Sequence, residues 1–147
     1  SDGVGAAQGG VVGNGQKSWL ETQVDGKGSL SFVWRVSSES LDRLRFYADG
    51  EPGAAISGTT GWLAVSLTMT NAGVHIFRWE YAKSKSGTAG EDAAWLDRVV
   101  WAPVWAEVVV AASPEEGGSV SGGGTLTAGS TATLMALPRA GWLFDRW

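Results

Sequence analysis

Cysteine is absent from this chain of 147 residues, which excludes disulfides and zinc sites built on thiolates, although it does not argue against export. Histidine occurs once, as His75, and methionine and tyrosine twice each. No run of 18 apolar residues is present, so no segment reads as a membrane-spanning helix and membrane insertion is not expected. Basic residues are few: 11 Lys and Arg face 15 Asp and Glu, for a formal net charge of −4. That balance leaves no electrostatic case for nucleic acid or for an anionic membrane surface. The short basic stretch KSKS at Lys83–Ser86 reads as a solvated hairpin tip. The opening SDGVGAAQGG has no basic segment followed by an apolar one, so a signal peptide is absent or already removed.

Catalytic motifs are missing as well. There is no G-x-S-x-G, and His75 lies between Val74 and Ile76 with no evident triad partner. Among the acids no spacing singles out a facing pair of the kind a glycosidase needs. The glycines of GGSVSGGGTLTAGS are followed by neither G-K-[ST] nor a helix, so they read as hairpin turns and not as a phosphate cradle. An enzyme is not expected.

What the chain does have is glycine, at 22 residues, and tryptophan, at 9. Apolar residues recur mostly with period 2, and Gly, Asp-Gly, Asn-Ala-Gly and Glu-Pro-Gly punctuate them, which predicts an all-β fold of many short strands. The expected strands cover 18–24, 29–37, 43–48, 62–68, 73–83, 93–102, 107–112, 118–121, 131–137 and 142–147. Several declare their faces. Leu30, Phe32, Trp34 and Val36 alternate with Ser29, Ser31, Val33 and Arg35, so the first set points to the core. Phe77, Trp79 and Tyr81 share a face, and Leu44 and Phe46 point in while Arg43, Arg45 and Tyr47 point out. The same parity puts Trp95, Asp97, Val99 and Trp101 on one inward face. Pro103 interrupts the pattern, and the chain beyond it is Gly-rich and poor in charge. The expected division is 1–102 and 103–147.

The first segment, from DGVGAAQGG through GQKSWLETQVDGKGSLSFVWRVSSES, DRLRFYADG and GVHIFRWEYAKS to GEDAAWLDRVVW, resembles a jelly-roll module of bacterial surface and secreted proteins. Such modules are similar to MAM, laminin-G-type and carbohydrate-binding modules. The second, with GGSVSGGG and the closing G-W-x-F-x-x-W, resembles an internalin-B-type bacterial repeat. The resemblance implies a jelly-roll β-sandwich followed by a small, incomplete β-repeat. It also implies an extracellular or cell-surface location in bacteria, and non-catalytic binding to a polysaccharide or cell-surface glycan. A structural or adhesive spacer is the alternative. Against the family pattern an early strand of the jelly roll is expected to be missing, and the repeat stops midway at Trp147. Its uncovered sheet edge is expected either to dock on the jelly roll or to pair between two chains as a homodimer.

Two groups of residues are candidates for chemistry. Sugars present C–H faces that flat aromatic rings cover while polar neighbours take the hydroxyls. Most of the tryptophans are accounted for as core. Trp62, after SGTTG, and Trp105, in the linker, are not, and Tyr47 points outward beside Arg43 and Arg45. These five form a candidate sugar platform, with a solvated strand face as the bland alternative. The other group centres on Asp97, since an inward carboxylate must be paired or metal-bound. The resemblance implies a structural calcium held by Asp97 with Asp92 and Glu91, because calcium takes hard oxygen ligands. The competing role is a hydrogen-bond acceptor. The loop KSKSGTAG lacks the acid that resembled modules carry there, which favours the acceptor.

Overall fold

Strands form wherever the period-two alternation is strong, and in some places where it is not. The computed structural model describes residues 5–147. Its first eight strands are β1 (Ala7–Gln8), β2 (Lys17–Asp25), β3 (Gly28–Ser37), β4 (Arg43–Ala48), β5 (Glu51–Ile56), β6 (Leu63–Met69), β7 (Val74–Ala82) and β8 (Ala93–Pro103). β1 pairs with β8, β2 with β7, β3 with β6 and β4 with β5, all antiparallel. This part of the chain is therefore one long hairpin whose tip is the turn at Asp49–Gly50. Rolling that hairpin brings β8 beside β3 and β7 beside β4, and two four-stranded sheets result, β1-β8-β3-β6 and β2-β7-β4-β5. This is the strand order of an eight-stranded jelly roll.

Two of these strands have no counterpart among the expected ones. β5, EPGAAI, contains Pro52 and Gly53 and reads as a turn, but it sits at a sheet edge where a missing N–H costs no ladder bond. β1 has only two residues and no alternation to announce it. It pairs with β8 at the edge of its sheet.

The core lies between the sheets. Leu30, Phe32, Trp34 and Val36 of β3 meet Leu44 and Phe46 of β4 and Phe77, Trp79 and Tyr81 of β7, with Ala94 and Leu96 of β8 closing the layer. Phe32 joins the two sheets. Its ring lies 5.1 Å from Phe46 and 5.2 Å from Trp79, the latter edge-on at 88°, and 5.4 Å from Trp34 at 83°. Each such pair adds about 0.5–1.5 kcal/mol beyond the area it buries.

The inward parity of β3 holds from end to end, but that of β8 does not. Val33 faces Asp97 and Ser31 faces Val100, so Arg98 and Val99 together oppose Phe32 alone, with Arg98 at φ 52°. Such a two-against-one bulge reverses which face the following residues occupy. Trp101 beyond it turns inward, with its ring 5.8 Å from Phe77. Before it, Ala94 and Leu96 are the inward residues, while Trp95 and Asp97 lie on the outer face. The expectation that Trp95, Asp97, Val99 and Trp101 share the core face thus holds for Trp101 alone, and Val99 is exposed. The bulge is the reason. Trp101 in turn lies against Gly28, where a Cβ would come within 2.4 Å of its ring and 2.7 Å of the Ala102 carbonyl oxygen.

His75 is buried near the same end. Its Nδ1 stands 2.8 Å from Asp49 Oδ2 and its Nε2 3.1 Å from the Asn71 carbonyl. Both neighbours are acceptors, so the ring satisfies them only by donating from both nitrogens, as the imidazolium. The hydrogen bond to Asp49 raises the His75 pKa above its ordinary value and holds the Asp49 carboxyl below its own. Asp49 Oδ1 also accepts the Ile76 N–H at 2.8 Å, which ties the hairpin tip to β7.

Beyond Pro103 the chain forms β9 (Trp105–Val108), a short 3-10 turn at Glu115–Gly117, β10 (Gly118–Ser121), β11 (Gly124–Thr127) and β12 (Met135–Pro138). β9 pairs with β11 and β10 with β12. The segment 142–147, expected as a strand, is not one, and β11 was hidden among glycines. This part is hydrogen-bonded to the sandwich: Val104 N donates to the Lys27 carbonyl at 2.8 Å, and Lys27 N to the Ala128 carbonyl at 3.4 Å.

Two outcomes are expected. Phe32→Ala lowers unfolding free energy by about 3–5 kcal/mol, read by urea denaturation, because neither sheet can collapse into the space. His75 has its pKa raised on folding, so its contribution is complete below its unfolded value of 6.5 and is lost as pH rises through the raised value. Wild-type melting temperature therefore falls across that window, while that of His75→Gln stays level there.

Candidate functional site

Because the apolar sets of β2, β4 and β7 all point inward, the alternate residues form one flat outer face on the sheet β2-β7-β4-β5. Register sets three rows across it. Lys17 stands beside Ala82 and Arg43; Trp19 beside Glu80 and Arg45; Glu21 beside Arg78 and Tyr47. Trp19 is 55% exposed, and the Arg78 guanidinium lies 5.0 Å from its ring centre. Arg78 Nε also donates to Glu21 at 2.9 Å, and Lys17 Nζ to Glu80 at 3.0 Å. Arg43 and Arg45 are exposed. Among the described residues neither has an ion-pair or hydrogen-bond partner. Beside them lies an open depression of about 270 Å³, lined by Leu41, Arg43, Arg45, Glu80 and Ser84.

The structure divides the five expected platform residues among three places. Arg43, Arg45 and Tyr47 share this face. Trp62 lies on the outer face of the opposite sheet, just before Leu63, which pairs with Trp34. There the Arg35 guanidinium is held between two indoles, 3.8 Å from the centre of Trp95 and 5.6 Å from that of Trp62. Glu91 stands 3.6 Å from Arg35 Nη2. Gln8 extends the same row from β1. Trp105 lies in β9 opposite Thr127, exposed and outside the sandwich. Trp19 and Arg78 were not singled out from sequence. The signal was available in SWLETQVD, whose alternation already sets Trp19, Glu21 and Gln23 on one face.

The two carboxylates expected to hold calcium are not brought together. Five positions separate them along an extended segment, a span of about 15 Å. Asp92 forms an ion pair with Lys83, whose side chain is buried, and its Oδ1 lies 3.4 Å from the Tyr81 hydroxyl. Tyr81 also donates to the buried Asp42 at 3.2 Å, and burial pushes its phenol well above the usual range. Asp97 Oδ1 accepts the Arg98 N–H at 2.7 Å, at the bulge itself. Glu91 is with Arg35. Among the described residues no three His, Cys, Asp or Glu side chains gather closely enough to hold a metal. This donor set does not fit calcium.

The strand order defines the class: a jelly-roll β-sandwich module with short paired strands hydrogen-bonded to one end. Residues 108–147 match the family described as the divergent InlB B-repeat domain, in agreement with the internalin-B-type resemblance of that segment. No curated protein matches the chain. Among solved structures the chain is similar to the secreted serine protease VesC from Vibrio cholerae, with 23% identity and a TM-score of 0.59. The similarity covers 67% of this chain and 21% of that one, so the chain spans about a fifth of the protease's length. At that identity the likeness shows the fold alone. A second similarity, to a cycloisomaltooligosaccharide glucanotransferase from Paenibacillus sp. complexed with cycloisomaltoheptaose, has 22% identity, covers 60% and 13% of the two chains, and has a TM-score of 0.30. It carries no argument about this one. Among the described residues no helix is long and apolar enough to cross a membrane.

Removing the Asp97 carboxylate as Asp97→Ala is expected to cost about 0.5–1.5 kcal/mol, read by urea denaturation, since the Arg98 N–H exchanges its carboxylate acceptor for water. EDTA is expected to leave the melting temperature of the wild type unchanged; a fall restored by added calcium would show that metal holds these carboxylates after all.

Proposed function

We propose that the chain is a non-catalytic binding module of a bacterial surface or secreted protein, and that the outer face of β2-β7-β4-β5 takes up carbohydrate. The observation that carries this reading is the alignment of Trp19 and Tyr47 on one flat face, with Arg78 next to both and Arg43 and Arg45 continuing the row of Tyr47 along β4. An exposed indole supplies the stacking surface that a pyranose ring needs. Guanidinium groups on neighbouring strands supply donors for ring hydroxyls, and the sheet fixes the spacing before ligand arrives, which lowers the entropic cost of binding. The opposite sheet is a poorer platform, because Arg35 already covers the Trp95 ring. Support for a non-catalytic role comes from His75, both of whose nitrogens are engaged, and from the match of residues 108–147 to a repeat family.

A structural spacer is the second reading. The hydrogen bonds from Val104 to Lys27 and from Lys27 to Ala128 favour it, since they tie the repeat to the sandwich.

Affinity electrophoresis through gels containing a panel of polysaccharides separates the two. Retardation by at least one polymer is expected, weakened about tenfold, or about 1.4 kcal/mol, by Trp19→Ala or Tyr47→Ala and untouched by Trp62→Ala. Free migration of the wild type through the whole panel would leave the spacer.

A further inference from the structure

On the reading that the β2-β7-β4-β5 face binds carbohydrate, we infer that its ligand is an acidic polysaccharide, whose carboxylate or sulfate groups are taken by Arg43 and Arg45. The charges of the face are divided unevenly. Lys17 is neutralised by Glu80 and Arg78 by Glu21. These pairs use up Glu21 and Glu80, and the third acid of this side, Asp25, lies at the far end of β2 opposite Val74. Glu39, in the loop before β4, is hydrogen-bonded to Ser84, and Glu51 lies at the far end of the sheet opposite Ala48. Arg43 and Arg45 are left over. Arg43 has only Ala82 across from it, and the Glu80 opposite Arg45 already belongs to Lys17.

Two unpaired guanidinium groups at i and i+2 of a strand stand roughly 7 Å apart on one face. Each offers a planar fork of donors that matches the two oxygens of a carboxylate or sulfate. A neutral glycan would use these forks only for single hydrogen bonds to hydroxyls, and would leave two positive charges unmatched beside it. Tyr47 continues the line by another two residues, and Trp19 stands across Glu80 from Arg45. An acidic sugar polymer lying along β4 would meet charge at one end and the Tyr47 ring at the other, with Trp19 two strands to the side of Arg45. The chain as a whole carries −4, so long-range attraction for polyanions is lacking and capture depends on this face. That balance also separates a glycan from a nucleic acid, which gains most of its affinity from many phosphate contacts and would find only two here.

The test compares four polymers at an ionic strength of about 0.15 M, with the intact chain and its variants: polygalacturonate, sulfated carrageenan, fully methyl-esterified polygalacturonate and poly(dT). The expected result is retention by polygalacturonate or carrageenan, with the preferred polymer telling carboxylate from sulfate. Retention by the methyl ester should be at least about tenfold weaker than by the free acid if carboxylate is preferred. Arg43→Gln with Arg45→Gln should lose about tenfold on the acidic polymer at an unchanged melting temperature. Equal retention of the methyl ester and the free acid without retention by carrageenan would overturn the acidic assignment and leave carbohydrate binding in place. Retention of the acidic polymer undiminished in the double variant would do the same. Equal retention on poly(dT) would show that the face reads polymer charge and would overturn the assignment. Binding to none of these, nor to any neutral polysaccharide, would remove both the assignment and the reading beneath it.

Discussion

The interlock of Phe32 with Phe46 and Trp79 is the contact on which the remainder of the molecule depends. It joins the sheets at their centre, in edge-on and tilted geometries that a shift of either sheet would break. Everything said of the outer faces follows from it. Once the even-numbered residues of β3 and β4 and the odd-numbered residues of β7 are committed to this layer, their neighbours have only the outside to occupy. Trp19, Arg43, Arg45, Tyr47 and Arg78 face solvent together because the core has taken the other parity.

The bulge at Arg98 is the one place where that rule is interrupted, and it lies opposite Phe32. One extra residue in β8 lets Leu96 and Trp101 both reach the interior although an odd number of positions separates them. Asp97 then sits outside, accepting the N–H that the bulge frees. An aspartate that looked costly among core residues is instead part of the device that moves it out of the core. Trp95, thrown to the same side, becomes one wall of the clamp around Arg35.

The two outer faces differ in how far their charges are already matched. Around Arg35 the rings of Trp95 and Trp62 and the Glu91 carboxylate close on the guanidinium, and little is left to recognise a ligand. Around Arg43 and Arg45 nothing closes. An exposed ion pair such as Arg78–Glu21 contributes little to stability, but here the ion pairs decide which cations stay available. Near the junction with the repeat, the backbone bonds through Lys27, Val104 and Ala128 carry the repeat on the sandwich without using either face.

The all-β class, the inward sets of β3, β4 and β7, and the outward set Arg43, Arg45 and Tyr47 were all legible in the sequence, because side chains of a regular strand alternate and burial selects one parity. The turn-like EPGAAI and the two-residue β1 were not, since pairing at an edge asks little of local composition. The sandwich's eight strands and their rolled-hairpin order depend on which strands meet, and no local pattern records that. The place of Asp97 and Trp95 depended on a single inserted residue, visible only against the register of β3. Trp62 was read as a companion of Tyr47 because both are aromatic and unaccounted for, yet they lie on opposite sheets. Sequence alone determined which residues each regular strand could bury. The tertiary structure decided which exposed residues became neighbours, because that depends on contacts between strands far apart in the chain.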